Sequence, residues 1–294
     1  MRNKSALTDI IERVTLWGNL VKFSHSVFAL PFAFAMGVLL QKDYPISLPD
    51  IGQMLVCVVA ARFAAMAFNR LVDHRLDAEN PRTRMREIPR GAVHLVEAGL
   101  LILLSSFVFI YAASLLSRLC GLMSVPVLIV LFGYSYCKRV TALSHLVLGI
   151  SLAFAPAGVW LAVTGEFSWQ PVPLMLAVML WVAGFDVVYA LQDIEFDQSR
   201  GLRSIPALLG SNWARICAAL FHVGTIICLS ITGILFDVGV WFWSGIIAFA
   251  ILITTQHVSI CLDSKAHIER IFFVRNGFAS VVFLFFTAID ALVG

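Results

Sequence analysis

Charge is scarce in this chain. Only 13% of its 294 residues are Asp, Glu, Lys or Arg, where an ordinary soluble domain carries about 25%. A surface so poor in solvated side chains excludes a conventional water-soluble domain. Metal-binding cysteine chemistry is missing too. The six cysteines (Cys57, Cys120, Cys137, Cys217, Cys228 and Cys261) form no CxxC pair and lie in or beside apolar runs. They read as small buried hydrophobes. The seven histidines make no HxxxH or HExxH pattern, which excludes a helical zinc site of that kind. No cleavable signal is expected either. Met1 to Ile10 is polar before any apolar run, so the first span is expected to act as the insertion signal.

What the chain has is apolar sequence. Hydrophobic residues make up 60% of it, and the mean hydropathy is +0.90. They come in runs of about 20 residues between short polar loops, the pattern of a polytopic helical membrane protein. Nine spans are expected, over 25–41, 51–69, 92–116, 119–136, 143–163, 173–191, 213–236, 241–260 and 271–293. The chain is read as one all-α integral-membrane domain over 1–294. Orientation follows from Lys and Arg, which favour the cytoplasmic side. With the N-terminus inside, eighteen of the 21 fall on the cytoplasmic side, only Lys42 and Arg118 lie opposite, and Arg62 is within the second span. The asymmetry supports an odd number of spans, with the C-terminus outside.

Two polar stretches break the pattern. After the second span come Asn69, Asp73 and Asp77, then Arg82, Thr83 and Arg86. Four-residue spacing puts the first three on one helix face, within an arc of roughly 80°. After the sixth span come Asp193 and Asp197, again four apart, with Arg200 and Arg203 behind them. Both stretches emerge on the cytoplasmic side. Two acidic faces backed by basic residues suggest a cage for a divalent cation carrying a phosphorylated ligand.

Charges within the spans extend these faces. Arg62 precedes Asn69 by seven residues, and Asp186 precedes Asp193 by seven. Each lies about two turns deeper than its acidic cluster. Arg62 and Asp186 either pair with each other or line a cavity and orient a polar substrate. Lys138 and Arg139 end the fourth span. They either anchor it by the positive-inside rule or reach the phosphate site.

At these stretches the chain resembles the UbiA superfamily of membrane prenyltransferases. The first signature of that family, N-x-x-x-D-x-x-x-D, appears as Asn69, Asp73 and Asp77. Its second, D-x-x-x-D after a Tyr-Ala pair, appears as Tyr189-Ala190 with Asp193 and Asp197. Lys138, Arg139 and Thr141 match the basic end of the fourth helix, and Gly201 to Ser204 match the segment after the second signature. The resemblance implies about nine transmembrane helices around a central cavity and transfer of a polyprenyl group from polyprenyl diphosphate, with Mg²⁺ as cofactor. It assigns metal binding to Asn69, Asp73, Asp77, Asp193 and Asp197, with the four aspartates catalytic. Arg82, Arg86, Lys138 and Arg203 become diphosphate contacts, and Arg62 and Asp186 acceptor contacts. Hard oxygen ligands suit Mg²⁺, and guanidinium suits diphosphate.

The implied acceptor is a phenolic carboxylic acid, 4-hydroxybenzoate first and a dihydroxynaphthoate second, in the biosynthesis of a ubiquinone- or menaquinone-type quinone. The implied location is the bacterial inner membrane, with the active site on the cytoplasmic side. The lipid bilayer is a partner and nucleic acid is not. A haem farnesyltransferase or a chlorophyll synthase of the same superfamily stays open. A secondary transporter is the rival from another class, though transporters place their sites near the midplane on broken helices, and here the acids cluster at one end. A CDP-alcohol phosphotransferase also uses an aspartate cage, but its D-G-x-x-A-R signature is missing.

Overall fold

The computed structural model describes residues 6–21, 28, 30–262 and 268–294. Among them the chain is entirely helical. The helices are α1 (Ala6–Leu20), α2 (Leu30–Leu40), α3 (Leu48–Glu79), α4 (Leu95–Leu116), α5 (Arg118–Val140) and α6 (Ser144–Thr164). Then follow α7 (Val172–Ala190), a 3-10 turn (Leu191–Asp193), α8 (Ile194–Ser199), α9 (Ile205–Leu235), α10 (Val240–Leu262) and α11 (Ile268–Val293). Eight helical segments are long and apolar enough to cross a membrane, the continuous run Val172–Ser199 counting as one. The first expected span appears as α2, an apolar helix of 11 residues; residues 22–27 and 29, just before it, lie outside the described residues. His25 is among them.

The ends of these helices are written locally. Ser47 opens α3 with a reciprocal capping box: its Oγ accepts from Asp50 N at 3.3 Å, and Asp50 Oδ2 accepts from Ser47 N at 3.2 Å. Ser117 separates α4 from α5 by accepting the N–H of Cys120, which fixes the shortest hinge in the chain. The polar N-terminus holds a helix, α1, that the hydropathy pattern does not mark. It docks at the start of α4, where Trp17 Nε1 donates to Glu97 Oε1 at 2.7 Å and Arg13 pairs with Glu97 at 3.2 Å.

Helix α7 runs through the middle. Leu174, Ala177, Val178, Trp181, Val182 and Ala183 are all fully buried, as expected of a helix that is apolar all round. It packs against α6 and α9, α2 packs against α6, and α11 returns onto α2. Phe32 sits 5.1 Å from the Trp181 ring and 5.3 Å from that of Phe283, tying α2, α7 and α11 together. In lipid there is no hydrophobic gain from hiding one apolar helix against another, so close packing and interhelical hydrogen bonds hold the bundle. Trp181 Nε1 donates to Asn276 Oδ1 at 3.1 Å. Gly149 supplies the closest approach: a Cβ there would lie 2.2 Å from the Met179 carbonyl oxygen, so only glycine lets α6 meet α7.

Candidate active site

The two acidic stretches meet at one end of the bundle. Helix α3 continues past its apolar span to Glu79, so Asn69, Asp73 and Asp77 stay helical and share a face. Helix α7 gives way to the 3-10 turn and α8, which turn Asp193 and Asp197 inward; both are buried. One cavity of about 170 Å³ is lined by Asn69 and all four aspartates, together with Arg82, Arg86 and Lys138.

Each of these four aspartates is matched by a cation. Arg82 grips Asp193 with two bonds, Nη2 to Oδ2 at 2.6 Å and Nε to Oδ1 at 2.9 Å, the paired geometry that guanidinium favours. The same guanidinium donates to Tyr189 Oη at 2.8 Å and lies 5.1 Å from the centre of that ring. Asn80 Nδ2 donates to Asp193 Oδ1 at 3.3 Å. Arg86 Nη1 lies 2.6 Å from Asp77 Oδ1, Arg139 Nη2 lies 2.7 Å from Asp73 Oδ1, and Lys138 Nζ lies 3.9 Å from Asp197 Oδ2. Asn69 Nδ2 donates to Asp73 Oδ2 at 3.1 Å. Ser204 does two things at once: its Oγ donates to Asp197 Oδ2 at 2.8 Å and accepts from Ala207 N at 3.2 Å, capping α9.

The donor set fits Mg²⁺ delivered with a diphosphate. Asp77 Oδ2 is buried and accepts no hydrogen bond, with Arg70 Nη1 4.0 Å from it. Among the described residues no three His, Cys, Asp or Glu side chains converge as a ready metal cluster.

Sequence reasoning placed most of the cavity wall and missed several members. Arg70 lines the cavity and is buried, donating from Nε to Leu20 O at 3.4 Å. Its signal was its place two turns before Asp77 on the same face. Tyr134 and Ser135 also line it; Tyr134 precedes Lys138 by one turn. Arg203 stands apart from the lining. Its Nη1 donates to Val140 O at 2.6 Å and its backbone N–H to Lys138 O at 2.7 Å. It straps the loop after α8, which turns at Gly201 (φ +64°), to the end of α5 that carries Lys138.

Arg62 and Asp186 do not pair with each other and do not line one cavity. Asp186 lies in the wall of the polar cavity and is bonded to His145 Nδ1 at 2.6 Å. Arg62 lies in the wall of a second, larger and mainly apolar cavity of about 500 Å³. Met66, Phe109, Leu131, Leu152 and Phe154 are among its other lining residues. The two cavities adjoin, since Asn69 and Tyr134 line both.

Residues 29–285 match the pattern of the UbiA prenyltransferase family. The chain belongs to that family. It is therefore a transferase of prenyl groups and an integral membrane protein, and the transporter expectation is set aside. Its backbone superimposes on the apo structure of a UbiA homologue from Aeropyrum pernix with a TM-score of 0.80 at 32% identity, over 92% of this chain and 97% of that one. A UbiA homologue from Archaeoglobus fulgidus, solved bound to GPP and Mg²⁺, shares the fold with a TM-score of 0.69 at 16% identity, over 94% of this chain and 99% of that one. By sequence, the 4-hydroxybenzoate octaprenyltransferase of Nitrosomonas eutropha is 29% identical over 244 residues, 80% of this chain and 83% of that protein. That of Shewanella frigidimarina is 28% identical over 249 residues, 84% of this chain and 86% of that protein.

Proposed function

We propose that this UbiA-family protein transfers a polyprenyl group from polyprenyl diphosphate to the aromatic ring of 4-hydroxybenzoate, with Mg²⁺ as cofactor, in the biosynthesis of a ubiquinone- or menaquinone-type quinone. One observation carries the reading: a small cavity walled by paired carboxylates and cations adjoins a larger apolar one at Asn69 and Tyr134. The first suits a metal-bound diphosphate and the second an apolar chain. The names of the relatives from Nitrosomonas eutropha and Shewanella frigidimarina support the acceptor.

In this reading Asp73, Asp77, Asp193 and Asp197, with Asn69, hold the metal, and Arg82, Arg86 and Lys138 hold the diphosphate. When bound, Mg²⁺ neutralises charge on the leaving diphosphate so that the allylic C–O bond can break. Carboxylate–arginine pairs then exchange partners, the cations turning to phosphate oxygens. The apolar lining keeps water from the carbocation. Arg62 offers a charge to the acceptor carboxylate about two turns above Asn69. The ring attacks through the carbon ortho to its hydroxyl. A bacterial inner-membrane location goes with this reading, and the Lys and Arg distribution supports the polar cavity on the cytoplasmic side, with the N-terminus inside and the C-terminus outside.

The test is an assay of membranes containing the protein with labelled polyprenyl diphosphate and a panel of acceptors: 4-hydroxybenzoate, a dihydroxynaphthoate and phenols without a carboxylate. The expected result is a labelled lipid from 4-hydroxybenzoate. A product from the naphthoate alone would move the assignment to that acceptor, and equal use of carboxylate-free phenols would remove the role given to Arg62.

A further inference from the structure

Five carboxylates line the polar cavity, and one of them is unlike the rest. Asp73, Asp77, Asp193 and Asp197 each face an arginine or lysine within 4.0 Å. Asp186, among the described residues, has no arginine or lysine partner; it is bonded only to His145. A carboxylate gripped by a guanidinium is a poor proton acceptor, because taking the proton forfeits a charge-assisted bond. Asp186 lacks that restraint.

The His145 ring is set to serve it. It is fully buried, and its Nε2 accepts the backbone N–H of Ile205 at 3.3 Å. A nitrogen that accepts carries no proton in the neutral ring, so the proton sits on Nδ1 and points at Asp186 Oδ2, 2.6 Å away. Ile205 is the first residue of α9, where backbone N–H groups lack helical partners. The start of α9 therefore fixes the tautomer. One oxygen of Asp186 is held, and the side chain, 16% exposed, lines the polar cavity. The residue lies seven positions, about two turns, before Asp193 on α7, on the deeper side of the diphosphate cage.

We propose that Asp186 is the base that removes the ring proton, with His145 as its positioning residue; this rests on the aromatic transfer above. As prenyl C1 bonds to the ring carbon ortho to the hydroxyl, its bond to the diphosphate oxygen breaks. The ring is left as a cation with a hydrogen still on that carbon. Asp186 takes this hydrogen as a proton, its C–H electron pair restores the aromatic ring, and Asp186 becomes a neutral acid. His145 stays neutral throughout and keeps its bond to Oδ2. The proton then leaves Asp186 to water in the polar cavity.

The test compares acceptor carrying hydrogen with acceptor carrying deuterium at the ortho carbons. Wild-type protein is expected to show turnover rates equal within error, because proton removal is fast. Asp186→Asn should turn over about 100-fold more slowly, the usual scale for losing a general base, and the deuterated acceptor should now be clearly slower. The KM for prenyl diphosphate should stay within about twofold, since the base acts after that substrate is bound. His145→Ala should show the same isotope dependence in weaker form, and His145→Asn, whose amide can donate in place of Nδ1–H, should recover most of the rate. These two variants decide the matter if Asp186→Asn does not accumulate in the membrane. Wild-type rates without isotope dependence in Asp186→Asn, or in His145→Ala, overturn the proposal while leaving the transfer reaction intact. A wild-type protein that prenylates no phenol overturns both.

Discussion

Asp193 and Arg82 are joined by two short bonds across 111 residues of chain, and no spacing rule on a single helix reports such a pair. Asn69, Asp73 and Asp77 were legible because four-residue spacing on a helix is itself a face. The partner of Asp73 was not, because Arg139 comes from another helix. The same limit explains Asp186: its depth was readable from its place in an apolar run, whereas His145, 41 residues earlier, was not visible as its partner. Arg62 shows what separation of the cavities means for a single residue. It lines the apolar cavity, whereas Arg82, Arg86 and Lys138 line the polar one. Arg62→Ala is expected to weaken use of the acceptor by about 2–5 kcal/mol, the range for truncating one end of a desolvated charge pair, while the KM for prenyl diphosphate hardly moves. Steady-state kinetics with each substrate varied in turn separates the two; an equal loss in both would place Arg62 in the bundle's stability instead.

At the scale of the helix, hydropathy marks the long apolar elements and cannot mark two others. Helix α1 is polar enough to pass for a tail, yet Trp17 and Arg13 both bind Glu97 in the first turn of α4. Helix α9 begins eight residues before its expected span. Ser204 caps it and Gly210 (φ +76°) breaks it, leaving a short first piece whose amide holds His145. Contact between α6 and α7 depends on Gly149. Gly149→Ala puts a methyl group into the Met179 carbonyl and should cost about 1–3 kcal/mol, the usual range for overpacking. Gly133→Ala on α5, where a Cβ meets nothing within 4 Å, should leave stability unchanged or slightly raised. Thermal unfolding of the two purified variants in detergent makes the comparison. Equal midpoints would mean that the α6–α7 approach is not limited by that glycine.

For the molecule as a whole, the apolar runs define the bundle, while the polar ends of α3, α5 and α7 define what it does. The orientation read from Lys and Arg is testable in a cysteine-free background. Cysteines at Met85 and Ser199, both exposed, should be labelled by an impermeant maleimide only in inverted vesicles. One at Gln170, exposed after α6, should be labelled only in right-side-out cells; the reverse pattern would turn the polar cavity outward. The central claim is that the aspartates of both stretches serve one metal-dependent diphosphate site. Its most direct test is transfer of labelled polyprenyl group to 4-hydroxybenzoate by wild-type, Asp73→Asn and Asp193→Asn membranes, each with Mg²⁺ and with EDTA. Product is expected from the wild type with Mg²⁺ only, and each variant, though inserted normally, should lose most of the rate; full turnover in EDTA would contradict the claim.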